Sequence, residues 1–310
     1  MDDIPLVSVV IPTRNRKNKL LRLINSILQS NYPKSRLEII VIDDASTDGT
    51  YEEIKRRFKN INVLRNEKRT FLAFSRNKGI KNSKGKYIFL IDDDNVVHKD
   101  AIKELVRIYE ENKSLPIGIV APIMYYLKEP NIIWCVSIKR NMITSLTKFI
   151  GKGEIDTGQY NRLIRSYEFP NAFMLSKEIV NKVGLFNDKE LPFMYDEADF
   201  GERVRRLGYM VVCNPKAKVW HDVPLELKGY SFYRSSDHAF FLGRNRIVFH
   251  KKYSKWWQFL IFILIFNWLF TLYYLKVILL GSKKPSKEKF KIAKAYLKGV
   301  LEGLKWKKFY

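Results

Sequence analysis

The first half of the chain alternates between two hydrophobic periods. "LVSVVI" (6–11), "LEIIVID" (37–43), "INVLR" (61–65) and "KYIFLID" (86–92) are short runs of β-branched and other apolar residues, as strands buried on both faces require. Between them, residues 17–29, 50–58 and 71–81 carry helical spacing. This alternation predicts an α/β fold, a mostly parallel sheet flanked by helices and joined by right-handed crossovers. Open sheets of this kind gather their polar loops beyond the carboxyl ends of the strands. Here those ends read "PTRNR" (12–16), "DDASTDGT" (43–50) and "DDDN" (92–95).

The pattern weakens over residues 125–165, where aromatics and lysines mix and "IGKGEIDTG" reads as a mobile loop. Periodicity returns at 176–183, a helix capped by Ser176, and in "DEADFGERVRRLGY" (196–209), which Gly208 closes. Residues 256–275 then run for twenty positions without a charge, about 30 Å as a helix and enough to match a bilayer core. Gln258 and Asn267 are its polar interruptions. Beyond it, Phe290, Ala293, Leu297, Leu301 and Leu304 fall on one helical face and Lys291, Lys294, Lys298 and Lys305 on the other. That pattern fits a basic helix on an anionic membrane surface, or an amphipathic helix packed on the main domain. The organisation expected is a catalytic domain over 1–250, a hydrophobic membrane-anchoring segment over 251–281 and a basic amphipathic tail over 282–310.

Charge sharpens this division. The chain carries a formal +24, a balance that suits nucleic acid, anionic lipid or phosphorylated ligands alike. From residue 251 to the end there are fourteen Lys, two Glu and neither Arg nor Asp, so half of the excess sits around the apolar run. Lysines flank that run on both sides, Lys251, Lys252 and Lys255 before it and Lys283, Lys284 and Lys287 after it, which leaves spanning and interfacial topologies both open. Cys135 and Cys213 stand alone without metal-ligand spacing, and the first residues lack the basic and apolar regions of a signal peptide. A reducing, cytoplasm-facing catalytic part at the cell membrane is the expectation.

Three consecutive carboxylates at the end of an apolar strand, Asp92, Asp93 and Asp94, repel one another and require cations or hydrogen-bond donors around them. With DxD spacing, one can meet a divalent metal and another a sugar hydroxyl.

"VSVVIPTRNR", "VIDDASTDGT", "FLIDDDN", "NAFMLSKEIVNKVGLFND", "YDEADFGERVRRLGY", "VWHD" and "GRNR" together resemble, in order and spacing, family 2 glycosyltransferases of the GT-A fold, rhamnosyltransferase-like members among them. The resemblance spans about residues 5 to 250. It implies an inverting transfer of a hexosyl or deoxyhexosyl group from a UDP-, GDP- or dTDP-sugar, assisted by Mg²⁺ or Mn²⁺, to a lipid-linked or membrane-proximal glycan. Pro12, Thr13 and Arg14 match the loop beside the nucleoside, and Asp44 the carboxylate that accepts a hydrogen bond from the base. Asp92 would face the ribose or sugar. Asp93 belongs to the same donor group with its side chain turned elsewhere. Asp94 would ligate the metal, with His221 as a second metal or diphosphate contact and Arg244 as a diphosphate ligand.

Relatives of this family usually carry Glu-Asp where this chain has Asp196-Glu197, so Glu197 is the expected general base and Asp196 its competitor. Asp199 would hold the acceptor or pair with Arg203 one helical turn on. Two other classes were weighed. A receiver-like phosphoacceptor domain needs an aspartate at the end of the third strand, which "INVLRN" does not supply. A nucleic-acid-binding protein would spread its positive charge over the folded domain, so no nucleic-acid partner is expected.

Overall fold

The computed structural model describes residues 4–225, 235–281 and 284–307. Lys283 of the basic flank and the ends of the chain lie outside the described residues. Two compact units result, one of residues 1–139, 149–192 and 196–225, the other of 140–148, 193–195 and 226–310. The helix that contains "GRNR" groups with the C-terminal helices.

The first unit is built on a sheet of strands β1 (Val7–Thr13), β2 (Leu37–Asp43), β3 (Asn62–Arg65), β4 (Tyr87–Ile91), β5 (Asn95–Val97), β6 (Ile117–Tyr126), β7 (Ile133–Cys135), β10 (Ile164–Ser166), β11 (Ala172–Ser176) and β12 (Met210–His221). Short strands β8 (Ser137–Arg140) and β9 (Thr147–Ile150) lie outside it. The main order is β10-β12-β6-β11-β4-β1-β2-β3. Strands β4, β1, β2 and β3 pair in parallel, and every residue of β1 and β4 is buried, as their unbroken apolar runs require. The other half is mixed. β11 runs antiparallel between β4 and β6, and β12 is parallel to β6.

Helices α1 (Lys17–Leu28), α2 (Thr50–Arg57), α3 (Phe71–Asn82), α4 (Ala101–Glu111), α5 (Lys177–Val183) and α6 (Asp196–Arg206) follow the spacing read in the sequence within a residue or two, apart from α4, whose pattern was not singled out. Ser176 caps α5, its hydroxyl accepting from the Ile179 amide at 3.2 Å. Gly79 lets α3 lie directly on β1, since a Cβ there would stand 2.2 Å from Val10 Cγ1. The 151–158 stretch forms turns in which Asp156 accepts from Tyr125 Oη at 2.6 Å and from Lys218 Nζ at 3.1 Å.

Two features of the sheet position the polar strand ends. β12 is irregular between Asn214 and Lys218, and its last residues pair antiparallel with β5, setting His221 opposite Asn95. The "VWHD" segment thereby arrives beside "DDDN". In addition, Asn15 and Ala45, on the loops after β1 and β2, and Phe71, the first residue of α3, have φ of 51°, 55° and 68°. Left-handed backbone at non-glycine residues is costly and collects where loops are held for function.

The second unit contains α7 (Ser236–Tyr253), α8 (Trp256–Ile261), α9 (Asn267–Leu280) and α10 (Ser286–Lys305), with a π-helical turn, Phe262–Phe266, joining α8 to α9. α7 and α10 meet through glycines: a Cβ on Gly299 would lie 2.1 Å from the Phe240 carbonyl oxygen, and one on Gly303 2.8 Å from that of Arg244. The buried face of α10 is Ile292, Ala293, Tyr296, Gly299, Val300 and Gly303. The expected single apolar face is therefore split. Ala293 packs inward, while Phe290, Leu297 and Leu301 are exposed. The split arises because small residues, rather than the largest apolar ones, permit the close approach to α7.

Candidate active site

The three carboxylates after β4 have separate partners. Asp92, whose amide donates to the Asn171 carbonyl, accepts from Arg76 Nη2 at 3.0 Å. Asp93 accepts from Thr13 Oγ1 at 2.7 Å and from Arg16 Nη1 at 2.8 Å. Asp94 takes the same Arg16 nitrogen at 3.0 Å on one oxygen, while His221 Nε2 stands 3.4 Å from the other. The environments separate their proton affinities. Burial pushes Asp92 up to about 6, with the charges of Glu197 and Asp94 adding to the rise against the pull of Arg76. Burial likewise raises Asp93 to about 6 in spite of Arg16. For Asp94 burial is outweighed by His221, Arg16 and Lys19, which hold it well below the usual carboxylate range.

Arg76 organises the other side of the site. It is fully buried on α3 and donates from Nη1 to Asp196 at 2.8 Å, and from Nη2 to Asp92 and, at 2.7 Å, to Glu197. Its guanidinium carbon lies 5.5 and 5.6 Å from the ring centres of Phe173 and Phe186. Neighbouring Asn77 fixes the helix by donating to the Phe186 carbonyl and accepting from the Phe186 amide, both at 2.9 Å. One cation thus holds three carboxylates, and burial together with mutual repulsion raises Asp196 and Glu197 above ordinary values despite Arg76.

Asp196 and Glu197 open α6, where the helix dipole favours negative charge. They differ in access. The Asp196 side chain is 2% exposed and that of Glu197 28%. Arg76 holds Glu197 by Oε1, and the other oxygen makes no hydrogen bond among the described residues. Asp199 is fully buried and accepts from Arg203 Nε at 3.0 Å, with the rest of that guanidinium on the Val183 and Leu185 carbonyls. The pairing with Arg203 one helical turn on is thus present.

Just after the end of β2, Asp44 accepts from the Thr70 amide and hydroxyl at 2.7 and 2.8 Å, from Asn66 Nδ2 at 3.0 Å and from the Phe71 amide at 3.1 Å. Arg14 donates to the Asp44 and Ala45 carbonyls, and Pro12 and Thr13 close β1 beside them. Arg244 lies on α7 in the second unit, half-buried, with Nη1 on Asn245 Oδ1 at 2.6 Å.

The donor set around Asp94 suits a divalent cation. A carboxylate oxygen and an imidazole nitrogen converge at 3.4 Å, and beside them His221 Nδ1 and Asn171 Oδ1 are buried without hydrogen-bond partners among the described residues. Five carboxylates, Asp92, Asp93, Asp94, Asp196 and Glu197, meet two guanidiniums, so negative charge remains to be offset. No group of three or more His, Cys, Asp or Glu forms a complete cage among the described residues. Two protein ligands with the remainder from phosphate oxygens is the arrangement hard cations accept.

Reading the sequence located the acidic residues and His221 but missed Arg16 and Arg76. Arg16 lay within the quoted "PTRNR". Arg76 lay in "FSRNKG", four polar residues within a helix, a run that carries no local sign of burial.

Comparison with known proteins bears on the family and the fold. Residues 8–182 match the family described as Glycosyl transferase family 2. The likeness to characterised relatives is local: TarS of Staphylococcus aureus, a poly(ribitol-phosphate) β-N-acetylglucosaminyltransferase, is 27% identical over 34% of this chain and 19% of its own length. TuaG of Bacillus subtilis, a teichuronic acid biosynthesis glycosyltransferase by its description, is 29% identical over 50% of this chain and 65% of its own. The chain spans about a fifth of the length of TarS and a third of that of TarP, another S. aureus relative. Among solved structures, the mannosyltransferase PcManGT of Pyrobaculum calidifontis, in complex with GDP-Man and Mn²⁺, superposes with a TM-score of 0.61 over 98% of this chain and 88% of its own at 16% identity. TarS 1-349 in complex with UDP-GlcNAc gives 0.53 over 95% and 72%, also at 16%. The fold is GT-A.

Proposed function

Since the chain belongs to glycosyl transferase family 2, we propose that it transfers a sugar from a nucleoside diphosphate donor to a hydroxyl of a lipid-linked or membrane-proximal glycan, with inversion at the anomeric carbon. The observation that carries the reading is the pairing of an accessible carboxylate, Glu197, with a donor-side carboxylate, Asp92, on the single guanidinium of Arg76. That bridge ties the general base to the donor end of the site.

In this proposal the unbonded oxygen of Glu197 removes the acceptor hydroxyl proton while the acceptor oxygen attacks the anomeric carbon. The bond from the anomeric carbon to the diphosphate breaks, and its electron pair leaves with the phosphate. Arg76 keeps the base oriented and lowers the cost of its charge, and Asp196, enclosed beside the same cation, supports Arg76 rather than the acceptor. Asp44, Pro12, Thr13 and Arg14 form the nucleoside side, with UDP, GDP and dTDP as the donor classes. Asp92 is assigned to the donor sugar or ribose. Mg²⁺ or Mn²⁺ held by Asp94 and His221 would supply neutralisation of the leaving diphosphate.

The same proposal places the enzyme at the cell membrane with its catalytic part toward the cytoplasm. Its support is the Trp256–Leu280 segment, long and apolar enough by length and composition to cross a bilayer, and the lysine excess around it. Thermal unfolding against a panel of UDP, GDP and dTDP, with and without Mn²⁺, tests the donor reading, because a ligand that binds only the folded state raises its stability. No shift with any nucleotide and metal would end it.

A further inference from the structure

The Trp256–Leu280 segment is not a free-standing helix. Phe262, Asn267, Thr271 and Ile278 are buried, and they face the other helices of the second unit. The His250 ring of α7 stacks on Phe262 with centroids 4.0 Å apart, and the Arg246 guanidinium lies over Phe270 and Tyr274 at 4.8 and 5.3 Å. Arg246 also donates to Tyr296 Oη of α10 at 2.6 Å, and Tyr274 packs on the Tyr296 ring at 5.6 Å.

The π turn maintains this seat. Phe262 and Asn267 are five residues apart, about 140° out of phase in a regular α-helix. The Asn267 amide donates to the Phe262 carbonyl across the wider turn, which brings both onto the packed side, and Thr271 follows one α-helical turn later.

Helices α7 and α10 are locked together by their glycine contacts, so a bilayer crossed by α8–α9 would have to take them as well. α10 carries Lys287, Lys289, Lys291, Lys294, Lys298 and Lys305, and α7 carries Arg244, Arg246, Lys251 and Lys252. Charges in that number do not enter a hydrocarbon core.

The outward face is of the opposite character. Trp256, Leu264, Leu272 and Leu280 are 78%, 65%, 66% and 76% exposed, with no charged residue over 256–275; Lys276, exposed one turn from Leu272 and Leu280, is the one charge of α9, and its long stem can reach the headgroups. On α10 the exposed strip of Phe290, Leu297 and Leu301 is bordered on the next strip round by Lys287, Lys291, Lys294, Lys298 and Lys305. An apolar strip beside long cationic stems matches the boundary of an anionic bilayer, where the stems reach the headgroups.

We infer that α8–α9 lies within a single leaflet of an anionic membrane and does not cross it, with its outer face immersed and the α10 lysines on the headgroups. This rests on the membrane placement proposed above and specifies its topology.

The test uses the full chain on sealed vesicles of phosphatidylcholine with and without phosphatidylglycerol. Lys255→Cys and Ser286→Cys bracket the apolar helix at exposed positions, whereas Cys135 and Cys213 are buried. A membrane-impermeant maleimide added outside is expected to label both variants equally. Labelling of only one would show a spanning helix and overturn the inference while leaving membrane binding intact. The paired change Leu264→Lys and Leu272→Lys is expected to cut flotation with anionic vesicles at least tenfold and leave the nucleotide-dependent thermal shift unchanged. Undiminished flotation would overturn the inference. So would a lipid-free dimer that this pair dissociates, which would identify a second copy as the occupant of the face. Failure of the unaltered chain to float with any vesicle would instead remove the membrane placement itself.

Discussion

Arg76 Nη2 lies 2.7 Å from Glu197 Oε1 and 3.0 Å from Asp92 Oδ1, so one nitrogen serves carboxylates that are 105 residues apart in the chain. The strand end that would be an electrostatic liability alone is part of a four-residue ion cluster completed by Asp196.

Removing the cation should therefore be severe. Arg76→Met is expected to destabilise the fold by about 3–5 kcal/mol, because buried carboxylates lose their partner. Arg76→Lys should recover part of that, since the charge remains without the fork. Urea unfolding measures both, and a loss below about 1 kcal/mol in the Met variant would contradict the assignment.

Glu197→Gln should retain donor binding and reduce turnover about 10²- to 10⁴-fold, the usual worth of a general base. Because the folded site raises the proton affinity of Glu197, the base stays protonated to a higher pH than a free glutamate. The kcat/KM of the unaltered enzyme is thus expected to fall as pH drops, through a limb lying above the ordinary glutamate value. Near-normal turnover in the Gln variant would reassign the base.

Asp94→Asn and His221→Ala should remove the metal-dependent part of nucleotide stabilisation. At a ligand concentration near 100 Kd the whole nucleotide stabilisation amounts to about 2.7 kcal/mol, which is the upper bound of that part. Thermal unfolding with and without chelator reads it directly. Equal nucleotide shifts in chelator would count against a shared cation.

In the second unit, Gly299→Ala would direct a methyl into the Phe240 carbonyl, a backbone atom that cannot swing aside. A loss of about 1–3 kcal/mol is expected from overpacking. Lys298→Ala, next to it on the exposed side, should stay within about 0.5 kcal/mol. Calorimetry of both variants decides whether the close crossing holds the helices together.

The parallel half of the sheet was legible because strands such as 37–43 and 86–92 are buried on both faces and carry unbroken apolar runs. The mixed half was not. β11 and β12 were visible only as motifs, since antiparallel insertion between β4 and β6 depends on long-range pairing that no local period records. The acidic members of the site could be read from strand ends and a helix start. Arg76 could not, for an arginine within a helix is ordinarily a solvated residue, and its burial follows only from where α3 is laid by Gly79. In the tail the buried face combines Ala293, Gly299 and Gly303 with Ile292, Tyr296 and Val300, which turns it away from the face that periodicity suggested.

The sharing of Arg76 has a consequence for how the cluster responds to change. Asp92, Asp196 and Glu197 draw on one guanidinium, so loss of any one relieves repulsion among the others and strengthens their hold on the cation. Their effects are coupled, and a double substitution will cost more than the sum of its parts. Single replacements taken one at a time would credit the three carboxylates with less energy than together they contribute on the cation.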